Sequence, residues 1–392
     1  MFRSYTFRLV VTVAIMTLAN QVALSHVLAK ESDVVVKVSG SWEYLDKNNN
    51  YKFVKYARIE ILDKNPPASD FVLGKSYTDS SGKYTITVTS TKSSGSNIAV
   101  RVCATDDESV FVGTSSSIID TYCTLTDTRN NVISPTLDFG TYVVLSASNR
   151  EAFYIHGLIA DLAWRSYLKP KTNFGSYCAV PGNSCLVAIR WAAGSTDGSY
   201  FDLPGDGAIH LRGDDRYDPD VILHEYSHFV MDRVYFQYPS SPNCNPHSWD
   251  SVSSRGCAWT EGWADFLQAA IQNDGNYDDG ERTNPIHFDL EFPLPFVSGF
   301  DSESAVTASL WDIFDNSGTS EAWDKISLDM DGTNNNGIWS VFRVKPSDAL
   351  EFETEWRASK NGFNCEVRGI FAHHIVGSGL YSCNYMPIVL RR

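Results

Sequence analysis

The sequence predicts an α+β fold, with a β-rich N-terminal part followed by a mostly helical part. Residues 33 to 145 contain short runs of alternating or β-branched residues separated by turn clusters, a pattern typical of a β-sandwich. From residue 147 onward, apolar residues recur at helical spacing, with strand-like runs between them. We therefore expect a β-sandwich module over 33–145 and a second domain over 147–392.

The first 25 residues have the composition of a secretory signal. Arg3 and Arg8 give a positive start, residues 9–18 form an apolar run, and residues 23–25 supply small side chains for cleavage. The alternative is a membrane anchor, but this run is too short to span a bilayer. We expect an exported chain, extracellular or periplasmic, with no membrane span.

Strands of the predicted module are expected at 34–38, 57–62, 84–88 and 97–102, with turns at 46–50 and 79–83 between them. The turn at 78–84 resembles that of transthyretin-like or carboxypeptidase-regulatory-like modules. No set of catalytic residues is found in this part of the chain. A folding prodomain, a spacer and a surface-binding module all remain open as its role.

The second domain is predicted to open on a helix, because Ser148 and Glu151 have the spacing of a capping box. Strands are expected at 185–191 and 207–211. Asp218 and Pro219 then form a strong start signal for another helix, with an acidic N-cap and proline at the first helical position.

This last helix carries the pentapeptide His224-Glu225-Tyr226-Ser227-His228. Residues four apart lie on one face of a helix, so both imidazoles can reach one metal ion. Glu225, beside them, could take a proton from a water activated by zinc. The alternative is a coincidence on an amphipathic helix, but apolar residues on both sides of the histidines predict a buried helix. Polar groups inside such a helix need partners.

A catalytic zinc site needs a third protein ligand and one open position. Residues 229–235 contain no glycine and histidine that would continue the pentapeptide as in metzincins. Glu261 and Asp265, at the start of a second helical run from 259 to 271, are four apart and share a face. One can bind the metal while the other orients a histidine. Alternatively, both are carboxylates favoured by the dipole of a first helical turn.

The pattern His224-Glu225-x-x-His228 followed by Glu261-Gly-Trp-Ala-Asp265 resembles that of gluzincin, or thermolysin-like, peptidases. It is most similar to the fungalysin type. The resemblance implies a zincin catalytic domain with an edge strand, a helix bearing the zinc ligands and a mostly helical C-terminal half. It implies His224, His228 and Glu261 as zinc ligands, Glu225 as general base, and Asp265 as hydrogen-bond partner of a ligating histidine.

Further features of the resemblance concern the surroundings of the site. Residues 305–312 resemble the helix that follows the zinc site, and a strand at 207–211 would form the sheet edge on which a peptide substrate pairs. The family also uses a histidine or tyrosine to stabilise the transition state. That role stays unassigned, with His287, His373, His374 and Tyr381 as downstream possibilities.

Eight cysteines in an exported chain predict disulfides rather than buried free thiols. We expect pairing of sequence neighbours: Cys103 with Cys123, Cys178 with Cys185, Cys244 with Cys257, and Cys365 with Cys383. The spacing excludes a zinc ribbon of the Cys-x-x-Cys type.

The net charge of −15 and the absence of a basic run argue against nucleic-acid binding. Acidic segments at 274–280 and 329–332 invite a calcium interpretation, but neither fits an EF-hand loop, and solvated turns are expected instead.

The sequence as a whole predicts a secreted zinc endopeptidase that acts on peptides or proteins. An aminopeptidase with the same zinc chemistry, and a non-catalytic exported binding protein with a degenerate site, remain the alternatives. The sequence makes no prediction about the oligomeric state.

Overall fold

The structure is a computed structural model that describes residues 33–376, apart from 66, 91, 204, 243, 246, 281–284, 292–296, 316–325, 331–336 and 360. The chain is a mixed α+β protein with several sheets, as predicted. The signal segment expected over 1–25 lies outside the described residues. Among the helices that are described, none has both the length and the apolar character needed to cross a bilayer.

Strands dominate the chain up to residue 144, and the four predicted strands each overlap an observed one. The strands are β1 Val34–Leu45, β2 Tyr51–Phe53, β3 Arg58–Asp63, β4 Phe71–Tyr77, β5 Lys83–Ser90, β6 Ser96–Cys103, β7 Val110–Gly113, β8 Cys123–Leu125, β9 Arg129–Val132 and β10 Thr136–Val144. A short 3-10 helix, Ile118–Asp120, lies between β7 and β8.

Most of these strands form two sheets. In one, β1 pairs with β10, β2 and β5; in the other, β4, β3, β6 and β8 follow in order and β9 also pairs with β6. Both sheets contribute to one apolar core, as the full burial of Val36, Val38, Ile59, Ile61 and Val100 shows. The alternation of buried and exposed residues along β1 and β5 is what a sheet with one buried face requires.

Strand β7 belongs to a third sheet, which joins the two predicted domains. The later strands are β11 Val187–Trp191, β12 Tyr200–Phe201, β13 Ile209–Leu211, β14 Asn276–Asp279 and β15 Ile286–Asp289. The third sheet has the order β12-β13-β11-β7, and β7 pairs in parallel with β11. All four residues of β7 are buried. A strand from the predicted module thus lies in the sheet next to the predicted catalytic helix.

Side-chain contacts reinforce this junction. The hydroxyl of Tyr122 donates to the carbonyl of Trp191 at 3.0 Å. Arg165 donates to the buried carboxylate of Asp106 at 2.7 Å, and Asp106 also accepts hydrogen bonds from the backbone and hydroxyl of Ser109. A buried carboxylate with this many donors is stable only while all of them stay in place.

The second half of the described chain is mostly helical, as predicted. Its helices are α1 Ala147–Gly157, a π-helix Leu158–Leu168, α2 Lys169–Thr172, 3-10 helices Phe174–Cys178 and Asp214–Tyr217, α3 Pro219–Tyr235, α4 Arg255–Gln272, α5 Glu303–Phe314, α6 Ile338–Phe342, α7 Ala349–Ala358, α8 Asn364–Phe371 and a π-helix Ala372–Val376.

The predicted capping box at the start of α1 is wrong. The N-cap is Ser146, two residues before Ser148, and its side chain makes no capping hydrogen bond. The carboxylate of Glu151 forms an ion pair with Arg216 at 2.9 Å instead of turning back to the helix start. A partner distant in sequence has overridden the local spacing rule.

Helix α3 begins as predicted. Asp218 is the N-cap, its carboxylate accepts from the backbone N–H groups of Asp220 and Val221, and Pro219 occupies the first helical position. Nearly every residue of α3 is buried, including both histidines and Glu225. The helix ends at Phe236, which turns the chain with a left-handed φ of 58°.

Helix α4 packs against α3 and α5, and a glycine permits its contact with α5. A Cβ atom at Gly262 would lie 2.9 Å from the side chain of Val306 and 3.1 Å from the carbonyl oxygen of Glu303, both on α5. Any larger residue would push the two helices apart. Because Gly262 has no side chain, α5 can lie close to α4 next to Glu261, the third predicted ligand.

Three of the predicted disulfides are confirmed: Cys103–Cys123, Cys178–Cys185 and Cys244–Cys257. For the fourth pair, Cys383 lies outside the described residues, so the bond between Cys365 and Cys383 stays a prediction.

The role of β7 predicts that the helical part depends on the preceding module. We expect the chain from 147 onward to lose cooperative thermal unfolding, because β11 would expose its edge and its apolar neighbours. In the full chain, Val112→Asp should lower the free energy of unfolding by several kcal/mol, since it buries an unpaired charge. The matched control Val35→Asp alters an exposed position of β1 and should leave the melting temperature nearly unchanged. Cooperative melting of the isolated 147–392 segment at the full-chain temperature would contradict this dependence.

Candidate metal centre and cleft

Helix α3 brings its two histidines to one point. His224 and His228 lie one turn apart, and their Nε2 atoms are 3.1 Å from each other. Both side chains are about one-tenth exposed, so the pair faces a recess rather than open solvent. The structure thus has the geometry that the pentapeptide spacing predicts.

Glu261 on α4 completes the group. Its Oε2 atom lies 3.4 Å from Nε2 of His224 and 3.1 Å from Nε2 of His228. Two ligands of a tetrahedral zinc ion, each about 2.0–2.1 Å from it, are separated by roughly 3.4 Å. The three side chains therefore fit a zinc ion. Two imidazoles and a carboxylate are also a donor set typical of catalytic zinc sites.

Charges in this group are mutually dependent. Burial acts to raise the pKa of Glu261, but the charge of His228 and hydrogen bonds from both histidines hold it well below its usual range. Burial acts to lower the pKa of His224, yet the hydrogen bond and charge of Asp265, with Glu261, raise it well above its usual value. The carboxylates of Glu261 and Asp265 thus stabilise a positive charge at the histidines between them. A metal ion bound there would supply such a charge.

Asp265 lies where the resemblance places it, one turn beyond Glu261. Its Oδ1 atom is 2.8 Å from Nδ1 of His224, and its side chain is almost fully buried. Helix α4 begins at Arg255, four residues before the predicted start, so neither Glu261 nor Asp265 is in a first turn. The alternative of two carboxylates placed by the helix dipole is therefore wrong.

Tyr238 is the corresponding partner of His228, and the sequence analysis missed it. Its Oη atom is 2.7 Å from Nδ1 of His228. The left-handed turn at Phe236 carries the chain back over α3 and places the tyrosine there. With Nε2 facing a metal, Nδ1–H of each histidine would donate to its partner and fix the ring orientation. No local sequence pattern marks Tyr238.

Glu225 points into the same recess from the neighbouring position on α3. Burial raises its pKa, and the nearby carboxylate of Glu261 adds to this effect while His224 and His228 oppose it. The backbone N–H of Phe201, in β12, donates to its carboxylate. An edge strand therefore contacts the predicted general base.

That edge strand is not the predicted one. Residues 207–211 do contain a strand, β13, but β13 lies between β12 and β11. β12 pairs antiparallel with β13, and the backbone N–H of Asp202 donates to the carbonyl of Ala208 just beyond this pairing. The prediction missed β12 because two residues are too few to give a periodic pattern.

A cleft of about 530 Å³ opens beside these residues. Besides His224 and Glu225, its lining includes His247, Trp249, Tyr277 and Glu303. Trp249, Phe288 and Tyr277 stack in series, with ring centroids 3.7 Å and 4.5 Å apart, and form an aromatic wall. Most of the other lining residues are polar or charged, so the cleft combines an apolar wall with groups that can bind polar parts of a ligand.

His247 is the second residue of the cleft that the sequence analysis missed. Its Nδ1 atom is 2.8 Å from Oε2 of Glu303, and its Nε2 atom is 3.7 Å from Oε2 of Glu261. The hydrogen bond that His247 donates to Glu303 is the main cause that raises the pKa of His247 to about 9. The imidazole ring is thus held between the predicted metal group and the first turn of α5.

Of the histidines considered from sequence, His287 borders the cleft, whereas His373 and His374 are not among its lining residues. His287 is exposed at the cleft mouth and pairs with Asp278 at 2.6 Å. His374 is buried against Asp312 on α5, with 2.7 Å between Nε2 and Oδ2, and His373 stacks edge-on against it. Tyr381 lies outside the described residues. The sequence analysis considered only residues downstream of Glu261 for this role, and His247 lies upstream of it. Its partner Glu303 is distant in sequence, so no local pattern links the two.

The predicted solvated turn at 274–280 is wrong for 276–279, which form strand β14 and pair with β15. The backbone N–H of Asp278 donates to Asp220, and the side chain of Asp278 pairs with His287. In the second segment, Asp329 pairs with Lys171 at 2.5 Å, while 331–332 lie outside the described residues.

A further group of possible metal ligands, formed by Asp202, Asp206 and His210, lies beside β12. The guanidinium of Arg190 is 3.0 Å from Asp206 and 3.5 Å from the ring of His210. The arginine already provides the positive charge that a cation would bring.

Comparison with known protein families gives a match for residues 176–365, to the model described as the mycolysin C-terminal domain. The matched range is a little under half of the chain and contains the candidate metal centre. The match supports a metallopeptidase family of the gluzincin type, whose members are typically secreted and depend on a metal, usually zinc.

Other comparisons add no functional argument. No curated protein matches the chain. One solved structure, the crystal structure of a 9R-lipoxygenase from Cyanothece PCC8801, matches with 15% identity over 54% of this chain and 28% of that protein. Its TM-score of 0.24 is too low to support a common fold. The chain thus spans under a third of that structure's length.

The partners of the two histidines predict how tightly a metal is held. We expect Tyr238→Phe and Asp265→Ala each to weaken zinc binding about 10–100-fold, because each removes the acceptor that orients one imidazole. Competition with a chromophoric chelator would measure the affinity. Tyr44→Phe, a buried tyrosine of β1 remote from the site, is the matched control and should bind zinc as the wild type does. Unchanged affinity in both site variants would remove these partners from the metal centre.

Proposed function

We propose that the protein is a secreted zinc-dependent endopeptidase of gluzincin type, with His224, His228 and Glu261 as zinc ligands. The observation that carries the proposal is the convergence of these three side chains within 3.1–3.4 Å, with Glu225 beside them in a cleft. A purely structural zinc site has all four positions filled by protein ligands. Three ligands beside a carboxylate base and an open cleft support a catalytic site instead.

Zinc, when bound, supplies a Lewis acid that activates water and polarises a carbonyl group. Glu225 takes the proton from the attacking water and passes it to the nitrogen of the leaving amine. Its burial, which raises its pKa, favours this exchange of one proton in both directions. Asp265 and Tyr238 hold the two imidazoles in the orientation that directs Nε2 toward the ion.

We assign to His247 the stabilisation of the transition state. Its Nδ1–H donates to Glu303, and its Nε2–H points toward the space beside Glu261. A protonated imidazole there can donate to the carbonyl oxygen as negative charge develops on it. Glu303, buried at the start of α5, supports the charge and the orientation of the ring.

The edge strand supports the same interpretation. β12 lies over α3, and its backbone already contacts Glu225 through Phe201. A peptide that pairs with this strand would pass directly in front of the base. Recognition through backbone hydrogen bonds suits substrates of varied sequence, and the aromatic wall of the cleft favours apolar side chains.

Replacement of the base separates binding from catalysis. We expect Glu225→Gln to retain one zinc ion per chain and to lose casein hydrolysis by at least 10³-fold, because the amide cannot accept the proton. Glu261→Ala should lose both zinc and activity. Zinc content by mass spectrometry and casein cleavage with and without a chelator are the measurements. Wild-type activity in Glu225→Gln would overturn the mechanism, and wild-type zinc content in Glu261→Ala would remove that ligand.

The role of His247 has its own test. We expect His247→Ala to lower kcat by about 10²–10³-fold with little change in KM or zinc content, because a transition-state donor acts mainly on kcat. His287→Ala is the matched control, since His287 also borders the cleft but pairs with an exposed carboxylate. It should retain most of the activity. Equal losses in the two variants would argue against the assignment.

A further inference from the structure

The disulfide Cys244–Cys257 lies directly against the proposed ligand Glu261. Sγ of Cys244 is 3.4 Å from Oε1 of Glu261, and Cys257 lies one turn before Glu261 on α4. The two sulfur atoms and a carboxylate oxygen of Glu261 all lie within 4.8 Å of one another. The opposite oxygen of the carboxylate, Oε2, faces the two histidines. One carboxylate therefore faces nitrogen ligands on one side and sulfur on the other.

We propose that reduction of this disulfide creates a second metal site, formed by Cys244, Cys257 and Oε1 of Glu261. Thiolate is a preferred ligand of zinc, and a sulfur and an oxygen bound to one tetrahedral zinc ion are about 3.5 Å apart. Cys244 and Glu261 already have this separation. The two sulfurs need only move to roughly 3.8 Å from each other to share an ion.

The surroundings suit such a site. Cys257 is fully buried on α4, while Cys244 belongs to the connection between α3 and α4 and is only partly buried. Ligands held by a helix on one side and a loop on the other can adjust to the coordination distance. Among the described residues, no lysine or arginine is in an ion pair with Glu261 that would compete with a cation there.

The chemistry balances with a trialkylphosphine as reductant. The phosphine gives two electrons to the S–S bond and takes an oxygen from water to become the phosphine oxide. The two hydrogens of that water end on the two sulfurs. Each thiol then loses its proton to solvent as its sulfur binds the metal. No other oxidant or reductant is needed.

The site would couple activity to oxidation, and this consequence rests on the proposed function. Sharing Glu261 between two ions draws its charge away from the histidine site. The chain would then be poorly active in a reducing compartment and competent once the disulfide has formed, as in an exported protein. The metal site itself does not depend on catalysis and is tested separately.

Cobalt(II) is the probe, because its bonds to thiolate absorb in the near ultraviolet. Two single-cysteine variants test the site with the other disulfides intact. Cys257→Ala leaves Cys244 free beside Glu261, and the matched control Cys185→Ala leaves Cys178 free far from it in sequence. We expect the thiolate–cobalt absorption in Cys257→Ala and neither in Cys185→Ala nor in the oxidised wild type.

Wild-type protein treated with the phosphine should then show the same absorption and bind two cobalt ions per chain instead of one. Bound cobalt should also slow alkylation of Cys244 and Cys257 by at least 10-fold, measured by peptide mass spectrometry. Absence of the band in Cys257→Ala, with the circular dichroism of the wild type, would overturn the proposal. So would a band in a reduced protein that binds one ion per chain when its oxidised form also binds one, since the sulfur would then bind at the histidine site.

The two proposals fail in different ways. If the oxidised protein binds one zinc ion and cuts casein but the reduced protein shows no band, the second site is wrong and the proposed function stands. If the band appears but the oxidised protein binds no zinc, the proposed function is wrong and the thiolate site stands.

Discussion

The contact between α3 and α4 is the constraint on which the candidate site depends. It places a buried carboxylate, Glu261, against two imidazoles that have come from the other helix. Buried charges are tolerated only when they are paired, and breaking one partner from such a group costs several kcal/mol. Because all three groups are on helices, their separations are set by backbone packing rather than by flexible side chains. A metal ion would therefore find its ligands already arranged.

The remaining groups of the cleft follow from this packing. Gly262 allows α5 to approach α4, and this approach brings Glu303 within reach of His247. The exit of the chain from α3 brings Tyr238 back onto His228. The proposed ligands thus lie on helix interiors, while their partners come from helix ends and the segment between α3 and α4. The helices therefore set the positions of the proposed ligands, and the segment between α3 and α4 supplies hydrogen-bond partners such as Tyr238.

Sequence patterns predicted the parts of the site that lie within regular elements. The spacing of His224 and His228 expresses a helical repeat, and the apolar run at 259–271 predicted a second helix that carries Glu261 and Asp265. Tyr238, His247 and β12 were missed because each acts through contacts that no local periodicity records. The capping box at Ser148 failed for the opposite reason, because Glu151 found a distant partner in Arg216. In each case a long-range contact decided the position of a side chain whose local sequence was neutral or misleading.

The predicted boundary between the two domains is also crossed by a long-range contact that local sequence does not record. Composition changes near residue 145, and the sequence therefore indicates a boundary there. Yet β7 lies on the far side of that boundary and pairs with β11 in the sheet that leads to α3. A removable prodomain would be expected to dock through a surface, whereas a strand inside a sheet shares backbone hydrogen bonds and buried apolar side chains. Its removal would expose β11, the strand that supports β13 and, through it, the edge strand in contact with Glu225. This continuity favours a module that stays with the helical part and helps to hold β12 in place.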